Sequence, residues 1–239
     1  MKTRTALPFI LTGLCLVLAA GCSTPNRYKS LEQSPGAPRI DTVFVSTRND
    51  TTACIRIAYT DTNTLAVTFR IERADLGGPD FRPRVYGIPS HLTVYHDDYP
   101  DSLPQAYNEF RYRMTAATES DSISPVSNTA SIELLDTPPA IDSVVTTAGY
   151  PVVHYRIFGG RGNEWIVEIV KNDSVIAHSQ TYLSFSDETR TASFDELTLD
   201  TLRTRWPAGP SENGTFGARV IVTVLKAQAI AVAGFKVGP

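Results

Sequence analysis

Phe110-Arg111-Tyr112-Arg113-Met114-Thr115-Ala116 alternates without a break, every second residue being apolar and those between charged or polar. A period of two marks a strand with one face buried and the other wet. Phe110, Tyr112, Met114 and Ala116 are therefore placed on one inward face, with Arg111, Arg113 and Thr115 opposite. The reading extends outward in both directions. Ile55, Ile57 and Tyr59 share a face of a predicted strand over 53–59, and Val67, Phe69 and Ile71 share a face over 66–73. Further strands are predicted at 40–46, 81–88, 91–95 and 128–134, separated by the Asp, Asn, Gly and Pro clusters that make turns. Short strands at this spacing predict an antiparallel sandwich or barrel.

A family resemblance rests on these segments. Phe69-Arg70-Ile71-Glu72-Arg73 is similar to the third strand of fibronectin type III domains, and Phe110 to Ala116 to their sixth. Ser124-Pro125-Val126-Ser127 resembles the bend before their last strand, and Tyr95 to Asp98 the segment leading to the turn before the sixth. The resemblance covers residues 38–136 and implies one sandwich of about 100 residues. Two departures stand out. Tyr59 occupies the family's usual tryptophan position. Phe110 stands where a corner tyrosine would bond upstream backbone, so that bond is absent or made by another residue such as Tyr107.

The opening pattern of this segment recurs about one sandwich length later. Pro38-Arg39-Ile40-Asp41-Thr42-Val43 is matched by Pro139-Ala140-Ile141-Asp142-Ser143-Val144. Asp136-Thr137-Pro138-Pro139 between the halves reads as a short stiff hinge, since proline cannot extend a central strand. Strands are predicted at 141–147, 152–158, 164–171, 174–179, 191–194, 218–225 and 229–237, the last two as a well-covered hairpin. Residues 197–205 break the alternation and could form a short helix. The expected fold class is all-β: two tandem antiparallel β-sandwich domains of fibronectin type III or immunoglobulin-like type, over 38–136 and 137–239.

The amino end says where such a protein belongs. Lys2 and Arg4 precede an uncharged, largely apolar stretch over 5–21, which is the build of a secretory leader and too short for a stable membrane span. Leu18-Ala19-Ala20-Gly21-Cys22 resembles the lipobox of bacterial lipoproteins. The resemblance implies cleavage after residue 21 and acylation of Cys22, palmitate included. Ser23 follows the cysteine, where an aspartate would favour inner-membrane retention, so the expected location is the cell envelope, at the outer membrane. Residues 22–37 are polar and carry Pro25, Pro35 and Gly36, the composition of a flexible tether.

The formal net charge is −3 and no run of Lys and Arg occurs, so nucleic acid is not an expected partner. Cys15 lies in the leader and Cys22 is the lipid site, leaving Cys54 as a lone strand thiol with no base near it in sequence. No two of His91, His96, His154 and His178 have metal-motif spacing. His96-Asp97-Asp98 with Asp101 is the densest polar cluster, read as a solvated turn rather than a calcium loop. Gly159-Gly160-Arg161-Gly162 lacks the Lys-Ser/Thr of a phosphate loop, and no Gly-x-Ser-x-Gly elbow occurs. Trp165 reads as core, whereas Trp206, in Arg205-Trp206-Pro207, reads as a loop residue and a candidate binding contact. Asp-Ser/Thr triplets, at Asp41, Asp50, Asp142 and elsewhere, are similar to the O-glycosylation motif of Bacteroidota envelope proteins. No catalytic residue, metal ligand or cofactor is expected. The expectation is a lipid-anchored, non-catalytic interaction or spacer module with an envelope protein or glycan as partner. The alternative is a carbohydrate-binding accessory lipoprotein of a polysaccharide-uptake system.

Overall fold

The computed structural model describes residues 34–62, 64–147, 150–158, 163–184, 186–194 and 214–237. All of them fall in one compact unit, Ser34–Pro239. The expected lipid site Cys22, the loop residue Trp206, the glycine-rich segment 159–162 and the helix considered over 197–205 lie outside the described residues.

Period-2 patterning yields strands throughout. The first half holds β1 (Arg39–Arg48), β2 (Thr52–Thr60), β3 (Thr68–Asp75), β4 (Arg82–Pro89), β5 (Val94–Asp98), β6 (Tyr107–Ala117) and β7 (Ala130–Leu135). The second holds β8 (Ala140–Thr147), β9 (Tyr150–Ile157), β10 (Asn163–Lys171), β11 (Ser174–His178), β12 (Tyr182–Ser184), β13 (Glu188–Ser193), β14 (Gly214–Val224) and β15 (Ala227–Val237). In the first half β1-β2-β5 forms one layer, and β4-β3-β6-β7 pair in that order to form the other. The second half repeats the plan, with β8-β9-β13 facing β11-β10-β14-β15. Each half is thus a two-layer sandwich, the fold class expected.

Burial follows the alternation. Ile55, Ile57, Tyr59, Phe69, Ile71, Phe110, Tyr112, Met114 and Ala116 are all buried in the first core. Tyr59, in the family's tryptophan position, sets its ring edge-on to Phe69 at 5.3 Å. Trp165 is buried in the second core, its indole N–H donating to the Tyr155 hydroxyl at 3.0 Å. Val67 departs from the expectation. It precedes β3 and is exposed, while its neighbour Ala66 is buried in its place.

Two strand assignments need correction. The strand expected over 91–95 lies at Val94–Asp98, because Leu92 N–H closes a turn onto Pro89 O and holds residues 91–93 out of the sheet. Tyr182–Ser184, not anticipated, pairs with the start of β10 beside β11, which pairs with its end.

The halves are fused side by side. The chain passes through Asp136–Pro139, but β15 also pairs with β7 in parallel, through Ala227 with Glu133 and Gln228 with Leu134. The two four-stranded layers thereby become one sheet running from β4 to β11. Successive residues of a strand face opposite sides. Ile132, Leu134 and Ile230 accordingly belong to the first core, while Leu135, Ala227 and Ala229 belong to the second. The two three-stranded layers therefore cover opposite faces of a shared sheet.

A second contact locks this arrangement. The β1–β2 turn, with Asn49 and Asp50 at positive φ, seats on a glycine notch where Gly217 of β14 pairs with Gly234 of β15. The Asp50 carboxylate accepts the backbone N–H groups of Asn172 at 2.6 Å and Asp173 at 2.7 Å. Those two residues form the β10–β11 turn, also at positive φ, as a two-residue type I′ hairpin demands. Arg219 is buried beneath the seat, paired with Glu168 and donating to the hydroxyls of Ser46 at 3.3 Å and Thr47 at 3.4 Å.

Candidate functional site

Asp97 is the residue the structure treats most differently from the expectation. The His96-Asp97-Asp98 segment is strand β5, not a solvated turn, and the Asp97 side chain is 1% exposed. Its carboxylate accepts from Arg73 at 2.6 Å, from two nitrogens of Arg84 at 3.0 Å each, and from the Tyr112 hydroxyl at 2.9 Å. A charge this deeply buried survives only when paired and fully hydrogen-bonded. Burial and the charge of Asp97 push the Tyr112 hydroxyl well above the ordinary tyrosine range, so it is a fixed donor. This hydroxyl bonds a side chain and not the upstream backbone that a corner tyrosine would reach. The cluster holds the end of the sandwich together, its donors and acceptors all facing one another.

His96 points away from Asp97. Burial holds its pKa below the usual value, with Arg56 and Arg48 adding to the effect and Asp173 opposing it. Its Nε2 is buried without a hydrogen-bond partner. Among the described residues no group of three or more His, Cys, Asp or Glu is placed to hold a metal. Of the glycosylation-like triplets, Asp50 is engaged in the seat and Asp142 in an ion pair with Arg156.

Cys54 is buried at the junction, opposite Ser46 across β1 and β2. Burial pushes its thiol up from 9.0 to about 11. Thiolate is the reactive form, so we expect no labelling of Cys54 in folded protein by a thiol-exchange reagent at pH 8 within minutes, and full labelling of it in denaturant. The sign for stability follows from the raised value. Below pH 9 the thiol is neutral in both states and costs nothing; from pH 9 to about 11 the unfolded thiol ionises first, so stability falls as pH rises.

Strands distant in sequence meet in two surface features. The outward residues of β3 and β6 form an arginine and aromatic face. Glu72 pairs with both Arg70 and Arg113. Arg113 lies over the Phe81 ring at 4.2 Å and Arg70 over Tyr86 at 4.9 Å. No run of basic residues announced this face; alternation put Arg111 and Arg113 outward, and the pairing of β3 with β6 brings Arg70 and Glu72 beside them. The second feature is a cleft of about 240 Å³ at the junction, lined by Tyr107, Leu135, Asp136, Phe158, Asn163 and Val224 among others. Both sandwiches contribute to it, so no single segment could reveal it. Aromatic rings, a carboxylate and an amide on apolar walls are the ingredients of a small-ligand site. Its size suits one sugar ring or one large side chain.

No family model and no curated protein matches the sequence. Among solved structures, the chain is similar to the chicken CNTN1 FN1-FN3 domains, at 12% identity over 86% of this chain and 67% of that one, with a TM-score of 0.31. It is also similar to the chicken interferon gamma receptor alpha chain, at 11% identity over 87% and 99%, TM-score 0.30. A two-domain fibronectin type III segment of chicken tenascin matches at 10% identity over 85% and 99%, TM-score 0.29.

Proposed function

We propose that this chain is a lipid-anchored envelope protein whose paired sandwiches form a rigid, non-catalytic interaction module. The observation that carries the reading is the lateral fusion: a shared sheet and the seat of Asp50 on the β10–β11 turn hold two sandwiches as one body. End-to-end domains would maximise reach, as a spacer needs. Side-by-side fusion gives up reach for a fixed surface, which serves recognition by limiting the entropy lost on binding. The leader and Cys22 support the anchor, and the arginine and aromatic face offers side chains enriched at interaction hot spots.

Intact-mass measurement of protein taken from envelopes tests the anchor. The expected product begins at Cys22 and carries a diacylglyceryl group, with or without a third acyl chain on its amino group. A chain retaining residues 1–21, or one beginning at Cys22 without lipid, removes this reading. Cross-linking of the native protein in whole envelopes tests the module and is expected to capture a discrete partner.

The second reading, a carbohydrate-binding accessory protein, is favoured by the junction cleft with Tyr107, Phe158, Asp136 and Asn163 on its walls. A glycan screen of the mature chain decides it, with loss of signal on Asp136→Ala as the expected signature.

A further inference from the structure

Five of the eleven large apolar side chains that stand exposed among the described residues are gathered at one end of the first sandwich. They are Leu65, Val67, Leu92, Ile123 and Val126, between 36% and 62% exposed. Strand directions put their three loops together: β2–β3, β4–β5 and β6–β7 all turn at the end where β6 finishes and β5 begins. Backbone hydrogen bonds knit the loops. Ser90 N–H donates to Val67 O, Val67 N–H donates to Ala117 O, and Ala117 bridges to Ile123. Scattered apolar residues are ordinary on a surface, but a cluster of them marks a contact.

The chain itself says what the cluster meets. Ser34, the first described residue, donates its hydroxyl to the Ile123 carbonyl at 2.7 Å, and β1 starts at this end, its Ile40 N–H donating to Asn128 Oδ1 and its Ile40 carbonyl accepting from Asn128 Nδ2. The chain therefore enters the sandwich beside the exposed apolar loops. Cys22 lies 12 residues before Ser34, a reach of at most about 40 Å even fully extended.

We propose that this loop end lies against the lipid surface to which Cys22 anchors the chain, with Ile123, Val126, Leu65 and Leu92 entering the headgroup region. The proposal rests on the lipoprotein reading above. Anchoring on a short tether keeps the loops at high effective concentration beside the bilayer, so a weak apolar contact suffices. Glu119 and Asp121, exposed in the β6–β7 loop, set the lipid preference: zwitterionic headgroups over anionic ones.

The test uses residues 23–239 with an amino-terminal histidine tag, tethered to nickel-chelating lipid in phosphatidylethanolamine and phosphatidylcholine vesicles, which makes it independent of acylation at Cys22. An environment-sensitive fluorophore is placed on Ile123→Cys, on Val126→Cys, or on the control Val145→Cys in β8. The expected result is a blue shift and protection from an aqueous quencher at 123 and 126, with no change at 145. Without the tag, Ile123→Ser with Val126→Ser should lower partition into the same vesicles by about tenfold, and added phosphatidylglycerol should weaken it further. Unshifted probes at 123 and 126 on tethered protein overturn the proposal. So does a shift that arises only when envelope protein is added, which would assign the loops to a protein partner. An unacylated native chain, by contrast, removes the lipoprotein reading and leaves the vesicle result standing.

Discussion

Replacing Gly217 with valine is expected to unseat the first sandwich from the second. A Cβ at this position would stand 1.7 Å from the Asp50 carbonyl oxygen and 2.7 Å from Val170 Cγ2. The nearest atom is backbone in a tight turn, so no side chain can swing aside and the turn itself must lift. Lifting it breaks the two bonds from the Asn172 and Asp173 amides to the Asp50 carboxylate. Overpacking alone costs about 1–3 kcal/mol and bonds to a charged group about 1.5–3 each, so a loss of at least about 4 kcal/mol is expected. For a protein of this size that lowers the melting temperature by about 10 °C. Calorimetry checks the value, and the separation of one transition into two would show the halves uncoupled. Asp50→Ala should lose about 3 kcal/mol, the share of its two bonds, and adding it to Gly217→Val should cost little more, because both changes break one contact. Additive losses would show that the glycine and the carboxylate act separately.

Asp97→Ala is expected to be of similar severity for a different reason. The substitution leaves the Arg73 guanidinium, 9% exposed, without its buried counter-charge, though Asp75 still holds one side of it. Breaking a buried pair from one side costs about 3–5 kcal/mol. Arg84→Ala removes a partner that is one-third exposed, and Asp97 keeps Arg73 and Tyr112. Its expected cost is about 1 kcal/mol or less. Urea unfolding separates the two cases. Equal shifts in midpoint would mean that Asp97 is solvated and that the core does not depend on it.

Most of the fold was legible because burial on a strand has a period. Phe110, Tyr112, Met114 and Ala116 face one way by geometry alone, and all are buried. The repeat of Pro38–Val43 at Pro139–Val144 pointed to a second sandwich, and the second half repeats the strand order of the first. Tyr182–Ser184 escaped notice because three residues are too few to show a period. Asp97 was misread because an aspartate in sequence carries no sign of its partners. Arg73 and Arg84 lie 24 and 13 residues away from it, on other strands.

The candidate sites divide along the same line. Cys22 is proposed from local sequence alone, since the stretch that resembles a leader and lipobox is contiguous. The junction cleft and the exposed loop end each combine residues from segments far apart, and neither has a local signature. By itself the sequence determined that this chain is all-β, that it divides into two similar halves, and which side chains point inward, because alternation and turn chemistry act over a few residues. Only the tertiary structure decided that the halves fuse laterally on one sheet, that Asp97 is buried among arginines, and that the chain enters beside its most apolar loops. Those outcomes depend on which edges and turns meet, and that is settled by fit and charge between residues up to 183 positions apart, as in the bond from Val45 N–H to Gln228.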